Sequence, residues 1–352
     1  MSDAFRVLVV DDSVVQRQVI CDLLREMEGV EVIGRAADGQ EALKMATLLD
    51  PDLVTLDLEM PRMDGFTFLR LLMAARPKPV LVISSFGNVD NVFRALEFGA
   101  IDFIPRTLGA DLSAMRATVR EKVSILRASA SQPRPWISAL LKTGDTHRIK
   151  AIRPSLVGLH VGEPKVVFVI AASTGGPPAI VDLVTRIAPA YPHAIVVAQH
   201  MPERFTRSFA ERLGRKATLR VSEGEDGAPV MANSMIICPG NRSSELVVDG
   251  GGIRLRVRPL DPADRYAPSA DRLFRSASSL GRRAIGVVLT GMGDDGAAGA
   301  DALVRAGGSL WVESEETAVI DGMPGAARRV GPSSILPLGA LLARVAGHAP
   351  GD

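Results

Sequence analysis

Cysteine is scarce in this chain: Cys21 and Cys238, one in each half, are the only two. Two thiols at that separation make neither a disulfide framework nor a four-ligand zinc site. A charge excess of one sign is missing as well. The 41 Lys and Arg against 40 Asp and Glu leave a net +1, which gives no sign of an electrostatic nucleic-acid surface. No apolar run approaches the roughly 20 residues that span a bilayer. The opening Met1–Arg6 lacks the basic-then-apolar pattern of a secretion signal, so a cytoplasmic location without membrane insertion is expected. There is no internal repeat. What remains is an ordinary soluble composition, 47% hydrophobic and 23% charged over 352 residues, with length enough for two domains.

The pattern along the chain bears this division out. Residues 1–125 alternate short β-type runs with helical segments, which predicts a parallel sheet covered on both faces. Strands are expected at Arg6–Val10, Val30–Ala36, Leu53–Leu56, Val80–Ser84 and Ile101–Ile104, with helices such as Val14–Met27 and Gln40–Leu49 between them. Residues 126–163 lose the period and carry Ser129, Ser131, Pro133 and Pro135, as a linker does, with one helical stretch near Trp136–Leu141. A second α/β domain is expected over 164–348. Its strands fall at Val166–Ala171, Ala194–Gln199, Met235–Cys238, Leu246–Val248, Ile253–Val257, Ala284–Thr290 and Ser309–Val312, and the pair around Gly250 and Gly251 reads as a hairpin.

In the second domain the run Val169-Ile170-Ala171-Ala172-Ser173-Thr174-Gly175-Gly176 sets a serine on a glycine turn between an apolar strand and a helix that begins near Pro177. Such a serine stands at the carboxyl edge of the sheet, where N–H groups of the helix start can stabilise negative charge. It becomes a nucleophile only with a base beside it. Of the five histidines, His147, His160 and His348 are expected to be solvated. His193 precedes the strand Ala194–Gln199 and therefore lies at the opposite edge. His200 follows that strand and lies at the edge of Ser173, so geometry selects it. The strand Ala284–Thr290 runs into Gly291-Met292-Gly293-Asp294-Asp295-Gly296, and either aspartate there is placed to orient an imidazole. The spacing lacks the alternating ligands and closing glutamate of a calcium loop. Its glycines suit close approach of backbone donors to an oxyanion.

In the first domain Asp11 and Asp12 follow the first strand, Asp57 follows the third and Ser84 ends the fourth. Ligands collect outside the carboxyl ends of strands in such sheets. Three carboxylates there repel unless a cation intervenes, and oxygen-only ligation suits Mg²⁺.

The segments Val9-Val10-Asp11-Asp12-Ser13, Leu56-Asp57-Leu58-Glu59-Met60-Pro61 through Gly65, and Val82-Ile83-Ser84-Ser85 resemble a response-regulator receiver domain, with a flavodoxin-like doubly wound fold. The resemblance implies that Asp57 accepts a phosphoryl group from a histidine kinase. It also implies that Asp11, Asp12 and Asp57 hold Mg²⁺, and that Ser84 binds the phosphoryl oxygens while Phe103 couples to the downstream face. Arg106 stands where that family has lysine; its planar fork is not a neutral exchange for an ammonium.

Further on, Ala172-Ser173-Thr174-Gly175-Gly176, Gln199-His200-Met201-Pro202, Cys238-Pro239-Gly240, Pro268-Ser269 with Asp271, and Leu289 through Ala297 resemble the chemotaxis protein-glutamate methylesterase CheB family. Ala171 replaces the glycine usual there. This resemblance implies a Ser173, His200 and Asp295 triad with the backbone N–H of Met292 in the oxyanion hole, and no cofactor for the ester reaction. It implies demethylation of glutamate esters and deamidation of glutamines on chemoreceptor cytoplasmic domains. It also implies a chemotaxis kinase as phosphodonor and gating of the esterase cleft by the receiver. A monomer is expected. Two other readings are a receiver-controlled esterase or amidase for a non-receptor substrate, and an inactive phosphorylation-dependent binding module.

Overall fold

The computed structural model describes residues 4–85, 89–106, 112–128 and 162–349. The chain forms two compact units, one within the first three of these segments and one within the last. Most of the expected linker, residues 129–161, lies outside the described residues, and with it the Trp136–Leu141 stretch, His147 and His160.

The first unit runs β1 (Phe5–Val10), α1 (Val14–Arg25), β2 (Val30–Ala36), α2 (Gly39–Leu49), β3 (Leu53–Leu56), α3 (Gly65–Ala75), β4 (Val80–Ser85), α4 (Val89–Glu97), β5 (Asp102–Arg106) and α5 (Leu112–Ala128). The last helix extends three residues beyond the domain end expected at 125. Local chemistry starts the helices. Ser13, Asp38 and Asp64 are extended N-cap residues whose side chains accept from Gln16, from Gln40 and Glu41, and from Thr67, each satisfying donors that an α-helix leaves free at its start. The strands pair in parallel in the order β2-β1-β3-β4-β5. β3 is buried at every position, as a strand covered on both faces should be. The chain reverses direction across the sheet between β1 and β3, so the residues following those strands share one crevice.

The second unit contains β6 (Val167–Ala172), α6 (Gly176–Arg186), β7 (Ala194–Gln199), α7 (Glu203–Lys216), β8 (Arg220–Glu223), β9 (Ser234–Ile237), β10 (Arg242–Asp249), β11 (Gly252–Pro259) and α8 (Ala270–Ala277). After a short 3₁₀ turn follow β12 (Ala284–Val288), α9 (Ala297–Arg305), β13 (Ser309–Glu313), α10 (Gly322–Arg328), β14 (Ser334–Leu336) and α11 (Leu338–Ala346). Seven strands form one sheet, β14-β13-β12-β6-β7-β9-β8, and all of its pairings are parallel. β10 and β11 make a separate antiparallel hairpin that turns at Gly250 and Gly251. β6, β7 and β12 are buried throughout, and with Phe274, Leu273, Leu303 and Leu310 they form the core.

Two strands were not expected from the sequence. β8 and β14 close the two ends of the sheet, and their burial alternates between exposed and half-buried. Strands of three or four residues with no buried position carry little apolar pattern. β12 stops at Val288, two residues earlier than expected, which leaves Leu289 and Thr290 in the loop. His348 is a correction of another kind. Instead of being solvated it is 9% exposed, packed among Phe168, Trp311 and His193. His193 is wholly buried at the amino-terminal edge of the sheet, where its Nε2–H donates to the His348 carbonyl at 3.0 Å.

Candidate active site

In the second unit the chain also reverses at the middle of the sheet: β6 has β7 on one side and β12 on the other. Loops after these three strands therefore converge at one carboxyl edge. Ser173 directly follows β6. Its N–H donates to Thr290 O at 3.1 Å, and its carbonyl accepts from Gly176 N–H at 2.8 Å and from Gln199 Nε2 at 3.0 Å. The turn needs its glycines. Gly175 sits at φ +83°, and a Cβ on Gly176 would lie 2.2 Å from Gln199 Oε1. His200 directly follows β7, and its N–H donates to Ala172 O at 2.9 Å. The serine and the histidine thus end neighbouring strands that pair as Ala172 with Gln199.

Of the adjacent aspartates after β12, Asp295 meets the imidazole and Asp294 does not. His200 Nε2–H donates to Asp295 Oδ2 at 2.8 Å. The Asp295 carboxylate is 1% exposed and also accepts from the N–H groups of Ala270 at 2.7 Å and Asp271 at 2.9 Å. These are the first free donors of α8, so a helix start fixes the carboxylate and favours its charge. With Nε2 committed to Asp295, Nδ1 is the nitrogen left to act as a base. That is the reverse of the usual serine-hydrolase arrangement, in which Nδ1 meets the acid.

The glycine loop packs directly on Ser173: a Cβ on Gly291 would come within 2.9 Å of Ser173 Cβ. The next backbone N–H, that of Met292, makes no hydrogen bond among the described residues, which leaves a donor uncommitted in this loop. Serine, base, acid and donor together can carry acyl transfer through a covalent intermediate.

Three residues at this edge escaped the sequence reading as contributors. Gln199 Nε2 also donates to His200 O at 3.2 Å, tying the ends of β6 and β7 together. Tyr266 stacks on His200, with centroids 5.1 Å apart and planes 4° from parallel. Glu313, at the end of β13, is fully buried and accepts from Thr290 N–H at 2.7 Å and Thr317 Oγ1 at 2.9 Å. Burial, against those two hydrogen bonds, pushes its carboxyl up to about 7. An acidic residue closing the apolar run Leu310-Trp311-Val312 was the available signal for Glu313; nothing local marks Tyr266.

In the first unit the expected carboxylates do converge. Asp11, Asp12 and Asp57 bring carboxylate oxygens within 4.8 Å of one another. Arg106 reaches into this cluster, donating from one guanidinium nitrogen to Asp11 Oδ2 at 2.7 Å and to Ile83 O at 2.8 Å, and standing 3.6 Å from Asp57 Oδ1. Burial still raises Asp57 to about 6 and moves Asp11 upward, both against the pull of Arg106. Three carboxylates thus face one guanidinium. An all-oxygen donor set of this kind fits a hard divalent cation such as Mg²⁺. Ser84 at the end of β4 and Phe103 in β5 are both buried, and their strands pair Val82 with Phe103 and Ser84 with Pro105.

The sequence matches the CheB methylesterase family over residues 168–345 and the response regulator receiver domain over residues 7–119. It is 45% identical to protein-glutamate methylesterase/protein-glutamine glutaminase 1 of Myxococcus xanthus, covering 95% of this chain and 94% of that protein. It is 46% identical to protein-glutamate methylesterase/protein-glutamine glutaminase 6 of Anaeromyxobacter dehalogenans, with 97% and 94% coverage. Among solved structures, the Thermotoga maritima CheB methylesterase catalytic domain is 33% identical. It covers 53% of this chain and 95% of that one, with a TM-score of 0.48.

Proposed function

The chain belongs to the CheB methylesterase family and carries a response regulator receiver domain, and from that premise we propose that it hydrolyses glutamate methyl esters on chemoreceptors under control of phosphorylation at Asp57. The observation that supports this reading best is the convergence of Ser173, His200 and Asp295 at the switch point of the seven-stranded sheet. Relatives at 45–46% identity over nearly the whole chain carry names for the same enzyme.

In the reaction, Ser173 Oγ adds to the ester carbonyl while His200 Nδ1 takes the hydroxyl proton. The oxygen that becomes negative faces the Met292 N–H; one donor of this kind is worth roughly 2.7–4 kcal/mol in the transition state. As the C–O bond to the methoxy group breaks, His200 returns the proton and methanol leaves. Asp295, held at the start of α8, keeps Nε2 protonated and so leaves Nδ1 basic. Water then enters with His200 again as base, and cleavage of the acyl–serine bond frees glutamate. The same sequence on a glutamine amide releases ammonia.

In the receiver, a new O–P bond to an Asp57 carboxylate oxygen forms as the P–N bond of a kinase phosphohistidine breaks. Asp11, Asp12 and Asp57 would hold Mg²⁺, which when bound offsets the charge of the phosphoryl group. Arg106 and Ser84 lie at the same strand ends to receive its oxygens. A change of only about 1.4 kcal/mol between inactive and active states shifts their ratio tenfold, so modest coupling of phosphorylation to the esterase suffices. On this reading the reaction takes place in the cytoplasm, on the soluble portion of the receptor. No helix among the described residues is long and apolar enough to cross a membrane.

The test is methanol release from methylated receptor membranes, with and without a phosphodonor. Wild type is expected to release methanol faster with phosphodonor, Asp57→Asn to lose that stimulation, and Ser173→Ala to release none. Methanol release by Ser173→Ala would refute the nucleophile assignment.

A further inference from the structure

We infer that Tyr266 is a positioning residue for His200, its ring holding the imidazole and favouring the imidazolium that forms when Ser173 gives up its proton. This rests on the reading of Ser173, His200 and Asp295 as the acyl-transfer apparatus.

The Tyr266 and His200 rings lie 4° from parallel with centroids 5.1 Å apart, an offset stack that leaves the imidazole little freedom to rotate about its Asp295 hydrogen bond. An aromatic face attracts a cation more strongly than a neutral ring. The attraction therefore grows as the proton moves to Nδ1, and an interaction that strengthens toward the transition state raises kcat rather than uniform binding.

The tyrosine is itself held by a residue that the triad leaves over. Its hydroxyl donates to Asp294 Oδ1 at 3.0 Å, and burial together with the neighbouring carboxylate moves the phenol upward, which keeps it a donor. Arg265 lies over the Tyr266 ring at 5.4 Å and pairs with Asp294 at 3.5 Å, so its charge is partly met by the carboxylate that anchors the phenol. The loop is shaped to admit the hydroxyl. Gly293 sits at φ +80°, and a Cβ there would lie 2.3 Å from the Tyr266 oxygen. The two aspartates thus divide the work: Asp295 orients the imidazole along its edge, and Asp294 fixes the ring that covers its face.

The experiment uses the full chain with phosphodonor present and has two readouts: the rate of Ser173 labelling by a fluorophosphonate probe, and kcat and KM for methanol release. Tyr266→Leu, which keeps bulk without a π face, should fall about tenfold in both labelling rate and kcat, with KM unchanged. Tyr266→Phe keeps the ring but loses its tie to Asp294, so its labelling rate and kcat should fall between those of wild type and Tyr266→Leu. Tyr266→Leu acting like wild type would overturn the inference. So would Tyr266→Phe failing as badly as Tyr266→Leu, since the hydroxyl and not the ring would then matter, and so would an effect confined to KM. Failure of wild type itself to label would strike at the underlying triad, a result distinct from equal labelling of wild type and Tyr266→Leu.

Discussion

Replacing Glu313 by Gln should make the catalytic domain less sensitive to pH. Glu313 ends β13 with no solvent exposure, and its two oxygens accept from Thr290 N–H and Thr317 Oγ1. Thr290 in turn accepts the Ser173 N–H through its carbonyl, so the carboxyl lies two hydrogen bonds from Ser173. Burial lifts its pKa from 4.5 to about 7. With the folded value above the unfolded one, the native state keeps a proton that the unfolded chain has lost. The stability gained from that proton is fully present below about pH 4.5 and is lost as the pH rises through about 7. A rise of this size corresponds to roughly 3 kcal/mol, of which about 2–3 kcal/mol falls between pH 5 and 8. Glutamine can still accept from Thr290 through its amide oxygen, and the Thr317 hydroxyl can turn to accept from its amide nitrogen. It has no proton to lose.

The assay is urea unfolding at pH 5 and pH 8, followed by the emission of Trp311. That residue is 3% exposed and lies two positions from Glu313 on the same strand. The chain has two tryptophans, so a Trp136→Phe background isolates the signal. Between the two pH values the stability difference between Glu313→Gln and its parent should move by about 2–3 kcal/mol in favour of glutamine. A difference that stays constant would refute the reasoning, because Glu313 would then not titrate in this window. Glu313→Ala separates charge from hydrogen bonding: it leaves the Thr290 N–H without an acceptor and, relative to Glu313→Gln, should cost about 1–3 kcal/mol at either pH.

Two other substitutions test the frame around the site. Gly176→Ala drives a methyl to within 2.2 Å of Gln199 Oε1 and 2.8 Å of Ala172 Cβ, displacing the amide that ties Ser173 to His200. It should lower stability by about 1–3 kcal/mol and slow labelling of Ser173, and unchanged values of both would show the turn to be tolerant. His193→Phe addresses the far edge of the sheet. Burial holds the His193 pKa below its ordinary value of 6.5, so the unfolded chain takes up a proton as pH falls through 6.5 while the folded chain does not. Wild-type stability should decline from that pH toward the lower folded value, and the phenylalanine variant, packed on Phe168 and Tyr191, should decline less. Equal acid sensitivity in urea titrations at pH 7 and pH 5 would contradict this.

What the sequence could disclose follows from how far each determinant lies along the chain. Asp11, Asp57, Ser173 and His200 each come directly after a buried strand, and the carboxyl end of a parallel strand is where a ligand-facing residue must stand. Strand ends are legible from apolar runs alone, so these positions were too. That reasoning still cannot tell which loops meet, because nothing local states that β6 lies between β7 and β12. The choice between Asp294 and Asp295 shows the limit most clearly. The two are chemically identical neighbours, yet Asp295 is claimed by the N–H groups of Ala270 and Asp271, about 25 residues earlier, while Asp294 faces the hydroxyl of Tyr266. The helix start that separates them is visible as the Ser269 cap, but its docking against the loop after β12 exists only in the packed sheet. Tyr266 is hidden for the same reason, since one aromatic in a polar loop carries no period and acquires meaning only when the imidazole stacks against it. Edge strands β8 and β14 fail differently: their half-exposed positions do not need the apolar alternation that announces a strand. The candidate site is therefore readable as a set of strand ends. The contacts of His200 with Asp295 and with the Tyr266 ring join segments that are far apart in sequence.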